Sequence, residues 1–365
     1  MAQPSLSAIP PDIVCAADYE RYAPFYIESS AWAYLQGGAA DELTLAANSS
    51  AWAASTLLPR VLSDVAHGHT RCDFFGDTFA HPVILAPVAT QRLFHPEGEI
   101  ATVLAAGVMG GAAVISTQAS IRLEDVAQQA HGPLWFQLYW QGSRTVTLEL
   151  VKRAEIAGYK ALVFTVDAPV SGVRNREQRA GFSVPAGAAQ VNMEVPNLPE
   201  LQQGMSQVFD GLMPLAPRWH DIEWLVKQTN LPIIIKGILH PADAKLAVEA
   251  GAAGVVVSNH GGRVLDSVLP TFDALPGVVS AVNGVVPVLV DGGIRRGTDI
   301  VKAIALGASA VMIGRPYIHA LATAGALGVA HLIRLLREEL EITMALAGCK
   351  TLSDINMELI YSRQR

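Results

Sequence analysis

The stretch PIIIKGILHPADAKLAVEAGAAGVVVSNH, residues 232–260, decides the fold. It opens on a β-branched run, PIIIKG at 232–237, whose apolar side chains do not alternate with polar ones, as in a strand buried on both faces. Residues 240–250 then place apolar side chains three and four apart, the spacing of a helix face. A second apolar run, GVVVSNH at 254–260, closes the unit. Strand, helix and strand in such quick succession predict a parallel crossover.

The same unit recurs on both sides. Candidate strands are PVILAPV at 82–88, AAVIST at 112–117, WFQLY at 135–139, ALVFTVD at 161–167, PIIIKG, GVVVSNH, PVLVDGG at 287–293 and AVMIGR at 310–315, eight in all. Helical stretches such as 98–109, 143–157, 240–250 and 297–306 separate them. Eight alternating units predict an α/β fold, a closed (β/α)₈ TIM barrel within residues 82–346. A barrel of about 250 residues with extensions accounts for the length, so 1–365 is expected to be a single domain.

The main extension is N-terminal, within residues 1–60. Residues 18–56 read as helices, with Tyr19, Tyr22, Phe25, Tyr26 and Trp32 as packing groups and a Gly37-Gly38 stop. Asp41-Glu42 opens a further helix running toward Trp52. Tyr34, just ahead of the stop, is the aromatic expected to serve a site. A long helix over 316–346 follows the eighth strand, and the basic residues of the terminal SRQR are expected to be solvated or to meet a partner subunit. Between Asp167 and Arg218 no period is visible. Long loops inside compact domains serve as lids or binding loops. This one leaves the C-terminal end of the fourth strand, so residues 170–217 are expected to form a lid.

The chain is 51% hydrophobic and 16% charged with a net charge of −7, enough for a large core and without the basic footprint of nucleic-acid binding. Cys15, Cys72 and Cys349 lie far apart and suggest neither a disulfide framework nor a metal cluster, so a cytoplasmic setting is expected. The opening MAQPSLSAIPPD lacks the features of a secretory signal. No uninterrupted apolar run reaches about 18 residues, so no transmembrane segment is expected.

Barrel chemistry sits at the C-terminal ends of the strands. Here those ends carry Ala89 and Gln91, Ser116, Gln137 and Tyr139, Thr165 and Asp167, Lys236, His260 with Arg263, Asp291, and Gly314-Arg315. Polar groups at nearly every end imply a large polar ligand stretched across the mouth. The last two units, Asp291-Gly292-Gly293-Ile294-Arg295 and Gly314-Arg315, suit a phosphate monoester, with glycine amides and two guanidiniums as donors. Asp291 has the wrong sign for phosphate and suits a hydroxylated linker such as ribityl. Lys236 reads equally as a Schiff-base nucleophile, a solvated lysine or a charge beside an electron-rich ring.

In VVVSNHGGRVLD at 255–266, a histidine, two glycines and an arginine follow a buried strand. Histidine is the side chain suited to proton transfer near neutral pH, and arginine offers a fork for a carboxylate. Side chains of even-numbered strands share layers, so Asp167 and His260 can meet as a base with its orienting partner. His95, Glu97 and Glu99 in HPEGE read as capping and packing rather than as metal ligands.

SNHGGRVLD at 258–266, TVDAP at 165–169, FQLY at 136–139, APVATQRLFHPEGE at 86–99 and DGGIRRGTDIVKAIALGA at 291–308 together resemble the FMN-dependent L-2-hydroxy acid oxidase/dehydrogenase family, which includes glycolate, lactate and hydroxymandelate oxidases. The resemblance spans nearly the whole chain. It implies FMN as cofactor and oxidation of a small L-2-hydroxy acid to the 2-keto acid. It favours an oxidase that makes hydrogen peroxide from oxygen with a lactate- or mandelate-like substrate, ahead of a dehydrogenase serving another acceptor such as a quinone. A flavin-binding barrel without catalysis and an FMN-dependent isomerase are the readings of another class.

By the same resemblance His260 is the base, Asp167 its support, and Tyr139 the partner of the substrate hydroxyl. Arg263, Tyr34 and Arg174 lie on the substrate side. Pro87, Val88, Ala89, Ser116, Gln137, Thr165, Lys236, Ser258, Asp291, Gly293, Arg295, Gly314 and Arg315 fall where the family contacts FMN. A homotetramer is also implied. Val88 and Gln118 stand where relatives often have threonine and tryptophan, and Val170-Ser171-Gly172-Val173 lacks bulky residues some members carry.

Overall fold

A computed structural model describes residues 3–193 and 201–361. All eight predicted runs form strands: β1 (Val83–Leu85), β2 (Ala112–Ser116), β3 (Leu134–Leu138), β4 (Ala161–Thr165), β5 (Ile233–Ile238), β6 (Gly254–Val257), β7 (Val288–Val290) and β8 (Ala310–Ile313). Each pairs in parallel with its sequence neighbours, and β8 pairs with β1, so the sheet closes into a barrel. The strands are shorter than the apolar runs because their C-terminal residues leave the ladder to form the mouth; PVLVDGG contributes only Val288–Val290.

Every strand is buried on both faces, yet its residues still divide by parity. Ile84, Val114, Trp135, Val163, Ile234, Val256, Leu289 and Met312 fill the barrel, while Val83, Leu85, Ile115, Phe136, Phe164, Ile235 and Val257 pack outward against the helices. This is the two-residue period of a strand, hidden in the sequence because both partners of the alternation are apolar. The opposite end is closed by a hairpin of Cys72–Phe74 and Asp77–Phe79, with Phe79 set edge-on to Trp135 at 6.4 Å between centroids.

The outer ring is made by α4 (Gly98–Val108), α5 (Leu123–Gln129), α6 (Arg144–Ile156), α8 (Trp219–Val226), α9 (Pro241–Glu249), α10 (Thr271–Val282), α11 (Gly297–Ala305) and α12 (Arg315–Ala347), with α7 (Asn175–Arg179) in the connection after β4. Helix α12 is kinked where Ala324 and Gly325 leave helical geometry. It is long and apolar enough to cross a membrane by length and composition, but most of its apolar face is packed inside the fold against α4, α1 and α11.

Three further helices precede the barrel: α1 (Ala16–Tyr22), α2 (Ser29–Gln36) and α3 (Leu43–Ala54). Helix α2 ends at Gly37, as its glycine stop predicts. Helix α3 follows Glu42 in left-handed conformation, and its free N-terminal amides find a remote acceptor. Asp266, in the loop after β6, accepts from Asp41, Leu43 and Thr44 backbone N–H groups. Helix α3 is thus fastened across the mouth, while α1 packs on the flank against α12.

The connection after β4 is built from short turns. Residues 170–217 hold helical turns at 175–179, 186–188, 207–212 and 213–215. The first part is docked: Val191 N–H bonds the Ala119 carbonyl, and buried Asn192 accepts from Leu123 N–H at 2.8 Å, capping α5. Residues 194–200 of the expected lid, and the terminal SRQR, lie outside the described residues.

Candidate active site

The parity that fills the barrel also furnishes its mouth. Two residues beyond Val114, Trp135, Val163, Ile234, Val256 and Leu289 come Ser116, Gln137, Thr165, Lys236, Ser258 and Asp291, the next layer on the same inward face. Five of these six line one cavity together with Pro87, Val88, Ala89, Gly293, Arg295, Gly314 and Arg315. The sixth is Ser258. It sits fully buried behind the wall, where its Oγ accepts from Lys236 Nζ at 2.8 Å and from His260 N–H at 3.0 Å.

Lys236 is buried 3.1 Å from Asp291. Burial favours the neutral amine, but the charges of Asp291 and Asp167 outweigh it and hold the lysine above its ordinary pKa. A Schiff-base nucleophile needs the free amine, so this setting supports the standing-charge reading of the three.

His260 occupies the left-handed region at φ 56°, which turns its ring back over the mouth. Its Nδ1 lies 2.9 Å from Asp167 Oδ1, and its Nε2 lies 3.4 Å from Tyr139 Oη. Burial opposes ionisation of Asp167, but the adjacent imidazole, by charge and by hydrogen bond, together with Lys236, holds this carboxyl below its usual range. Burial pushes the Tyr139 phenol up, so it stays a neutral donor.

Tyr34, Arg174 and Arg263 line the same cavity as His260 and Tyr139. The Arg263 guanidinium stands 5.0 Å from the centre of the Tyr34 ring, and Phe182 of the β4 connection stacks on that ring at 4.5 Å. The carbonyls left free at the end of α2 find cationic partners. Arg263 Nη1 donates to the carbonyls of Tyr34 and Gly37 at 2.7 and 2.6 Å. Arg315 donates to those of Leu35, Gly261 and Gly37 at 2.9, 3.0 and 3.1 Å. Both guanidiniums are therefore partly engaged by backbone, which the sequence does not reveal.

Glu99 is fully buried and accepts from Gln91 N–H, Ser120 N–H and Ser120 Oγ, tying together the loops after β1 and β2. Among the described residues no three His, Cys, Asp or Glu side chains are grouped to hold a metal. Leu45, Asn48 and Ser49 on α3 join the cavity wall unforeseen. Their spacing places them on one face of that helix, a signal that was readable once the helix was placed beside the mouth.

A family profile described as FMN-dependent dehydrogenase matches residues 23–362. The chain belongs to that family. As an FMN-dependent dehydrogenase it is 48% identical to an L-lactate oxidase of Alicycliphilus denitrificans, over 96% of this chain and 97% of the relative. It is 46% identical to a 4-hydroxymandelate oxidase of Amycolatopsis orientalis, over 93% and 95%. A crystal structure of a mandelate oxidase with (S)-2-phenylpropionate superposes with a TM-score of 0.88 at 42% identity, over 96% of this chain and 98% of that one.

The cavity fits the family's cofactor, FMN. Gln137 Nε2, Thr165 Oγ1 and Asp291 Oδ1 are buried without hydrogen-bond partners in the protein, on residues of the cavity wall. Buried polar atoms of this kind are satisfied in a native structure, here by a polar ligand. At the other end Arg315 is held well below its usual pKa by desolvation and by the repulsion of Arg263 and then Arg295. A phosphate dianion relieves that repulsion.

Proposed function

We propose that this enzyme oxidises an L-2-hydroxy acid of lactate or mandelate type to the 2-keto acid and passes the electrons to oxygen, giving hydrogen peroxide. The observation that carries the reading is the convergence of a base dyad, His260–Asp167, with Arg263, Arg174, Tyr34 and Tyr139 on one cavity that also holds the flavin-type wall. Relatives named for L-lactate and 4-hydroxymandelate support the substrate class.

Ser116, Gln137, Thr165, Lys236 and Asp291, with the Pro87-Val88-Ala89 edge, hold the ring and chain of FMN, and Gly293, Arg295, Gly314 and Arg315 hold its phosphate. When bound, FMN supplies the acceptor for the two electrons that leave the substrate. The protein residues handle the proton and the geometry. The donors of Arg263 not engaged by α2, with Arg174, bind the substrate carboxylate and fix the reacting carbon. Tyr139 and Tyr34 hydrogen-bond the substrate oxygens. His260 Nε2 accepts the substrate's proton, and Asp167 on the far nitrogen stabilises the imidazolium that results. The exposed apolar side chains of Val61, Leu62, Ile342 and Leu346 support self-association, for which a homotetramer is the form the family resemblance implies, and three free cysteines support a cytoplasmic setting.

The test is anaerobic mixing of the purified flavoprotein with L-lactate, glycolate and L-mandelate, followed by the same mixtures in air. Bleaching by at least one, and peroxide in step with turnover in air, is expected. A flavin that no 2-hydroxy acid bleaches refutes the reading; bleaching without peroxide makes the enzyme a dehydrogenase.

A further inference from the structure

The turn that carries the base is held from outside the barrel. His260, Gly261 and Gly262 lie consecutively in the left-handed region, at φ 56°, 62° and 73°. For histidine this conformation costs free energy and persists only where the surroundings enforce it. The turn is closed by the bond of Gly262 N–H to the Asn259 carbonyl at 2.9 Å and by that of His260 N–H to Ser258 Oγ, and the side chain that ties it to the rest of the protein is Asn259. Its Oδ1 accepts from Gly262 N–H at 3.2 Å, and its Nδ2 donates to the Leu269 carbonyl at 3.2 Å. Both ends of that amide are in turn fixed by Asn48 of α3. Asn48 Nδ2 donates to Asn259 Oδ1 and Asn259 Nδ2 donates to Asn48 Oδ1, each at 2.8 Å. Both residues are buried, at 2% and 5% exposure, so no water substitutes for either partner.

We propose that Asn48 is a positioning residue for the base: through the reciprocal amide pair it sets the left-handed turn that aims His260 at the substrate. The proposal rests on the oxidation reading above for what the base does. A role confined to gluing α3 to the barrel is already filled by other contacts. Asp266 caps the start of α3, Trp52 Nε1 donates to the Gly292 carbonyl at 2.8 Å, and Lys302 Nζ donates to the Trp52 carbonyl at 2.7 Å. Asn48 alone among the described α3 side chains bonds the residue adjacent to His260. Its Oδ1 also accepts from Thr271 N–H at 3.3 Å, and its own carbonyl lies 2.5 Å from where a Cβ on Gly293 would sit. The same residue, by its backbone at Gly293 and its side-chain Nδ2 at Gly292 (3.3 Å from a Cβ there), therefore spaces the base turn from the glycine loop after β7.

The experiment uses the FMN-loaded enzyme with L-lactate and L-mandelate as probes, and compares Asn48→Ala, Asn259→Ala, the double variant and a control, Ser50→Ala, on the exposed face of α3. Flavin reduction in Asn48→Ala is expected to slow about 10- to 100-fold, the range for a misaimed catalytic group, with half-saturating substrate little changed. The double variant falls no further than the worse single, because each single orphans the other's amide. Asp167→Asn costs less in the Asn48→Ala background than alone, since the misaimed ring no longer uses the carboxylate fully. Hydrogen exchange over residues 255–266 accelerates, while Ser50→Ala matches the wild type. A folded Asn48→Ala that reduces its flavin within about twofold of wild type and leaves the Asp167→Asn effect whole overturns the proposal. If Asn48→Ala does not fold, Asn48→Asp decides: it keeps the acceptor for Asn259 Nδ2 but loses the donated bond, so wild-type rate and exchange in that variant also overturn it. Should the wild-type flavin resist every probe, the oxidation reading falls, and exchange at 255–266 still decides whether Asn48 sets the turn.

Discussion

Replacing Asp167 by asparagine separates charge from shape at the base. The side chain keeps its volume and its place 2.9 Å from His260 Nδ1, so the ring keeps its orientation; where the amide NH2 rather than its oxygen faces Nδ1 the ring takes the wrong tautomer, which adds to the loss worked out next and makes it a minimum. What disappears is a negative charge beside the imidazolium. With both side chains mostly buried (22% and 12% exposed), the pair attraction at a separation of charge centres of roughly 4 Å and an effective dielectric near 20 is about 4 kcal/mol. Lys236 already offsets part of that field, which brings the net loss to about 2 kcal/mol, or roughly 30-fold in the proton-accepting step. Anaerobic stopped-flow bleaching of the flavin reads this rate directly. A fall of less than about threefold shows that Asp167 acts by orientation alone and refutes the electrostatic account. The variant carries a second signature. The carboxyl titrates lower in the folded chain than in the unfolded one, so its stabilisation is complete above about pH 4 and is lost as pH falls through the folded value. Tm plotted against pH is therefore expected to fall less steeply in acid for Asp167→Asn than for wild type.

Three other substitutions test neighbouring parts of the site. Gly237, at φ 109° in the bulge of β5, would place a Cβ 2.6 Å from Asp167 Cβ and Cγ, so Gly237→Ala is expected to displace the aspartate, slow flavin reduction and destabilise by about 1–3 kcal/mol; an unchanged rate and urea midpoint count against this. Lys236→Met leaves Asp291 buried without its counter-ion and is expected to cost about 3–5 kcal/mol in urea unfolding of the flavin-free protein, and a loss under about 1 kcal/mol contradicts the pairing. Phe182→Ala removes the ring stacked on Tyr34, a contact of about 0.5–1.5 kcal/mol, and is expected to raise KM about two- to tenfold with kcat nearly unchanged. A kcat loss larger than the KM rise would place Phe182 in the chemistry instead.

The barrel was legible because its strands are apolar throughout and its helices keep their three-and-four spacing, two periods that do not blur into each other. The mouth was legible for a related reason: polar residues such as Gln137, Lys236 and Asp291 interrupt otherwise apolar runs at their C-terminal ends. Contacts made between distant segments were not. The engagement of Arg263 and Arg315 by the carbonyls of α2 depends on backbone groups, which carry no residue signature. The bonds of Ser258 Oγ to Lys236 and to the His260 backbone likewise leave no trace in the sequence. Asn48 and Asn259 looked like ordinary polar residues of a helix and a turn, since a reciprocal amide pair 211 positions apart leaves no local pattern. In the β4 connection the missing period reflected short turns held by specific bonds, such as that of Asn192 to α5, rather than absence of structure.

The shared parity of core and mouth gives each strand a reading frame of two. Inserting or deleting one residue upstream of Gln137 or Thr165 would turn that side chain out among the helices and bring Leu138 or Phe164 toward the cofactor, exchanging solubility and function in one step. Changes of two residues keep the frame. Loops between the strands carry no such arithmetic and can change length without turning the mouth residues outward. The bulge between Lys236 and Ile238 is the one place in the barrel where the frame shifts, and it does so after the lysine has already been delivered.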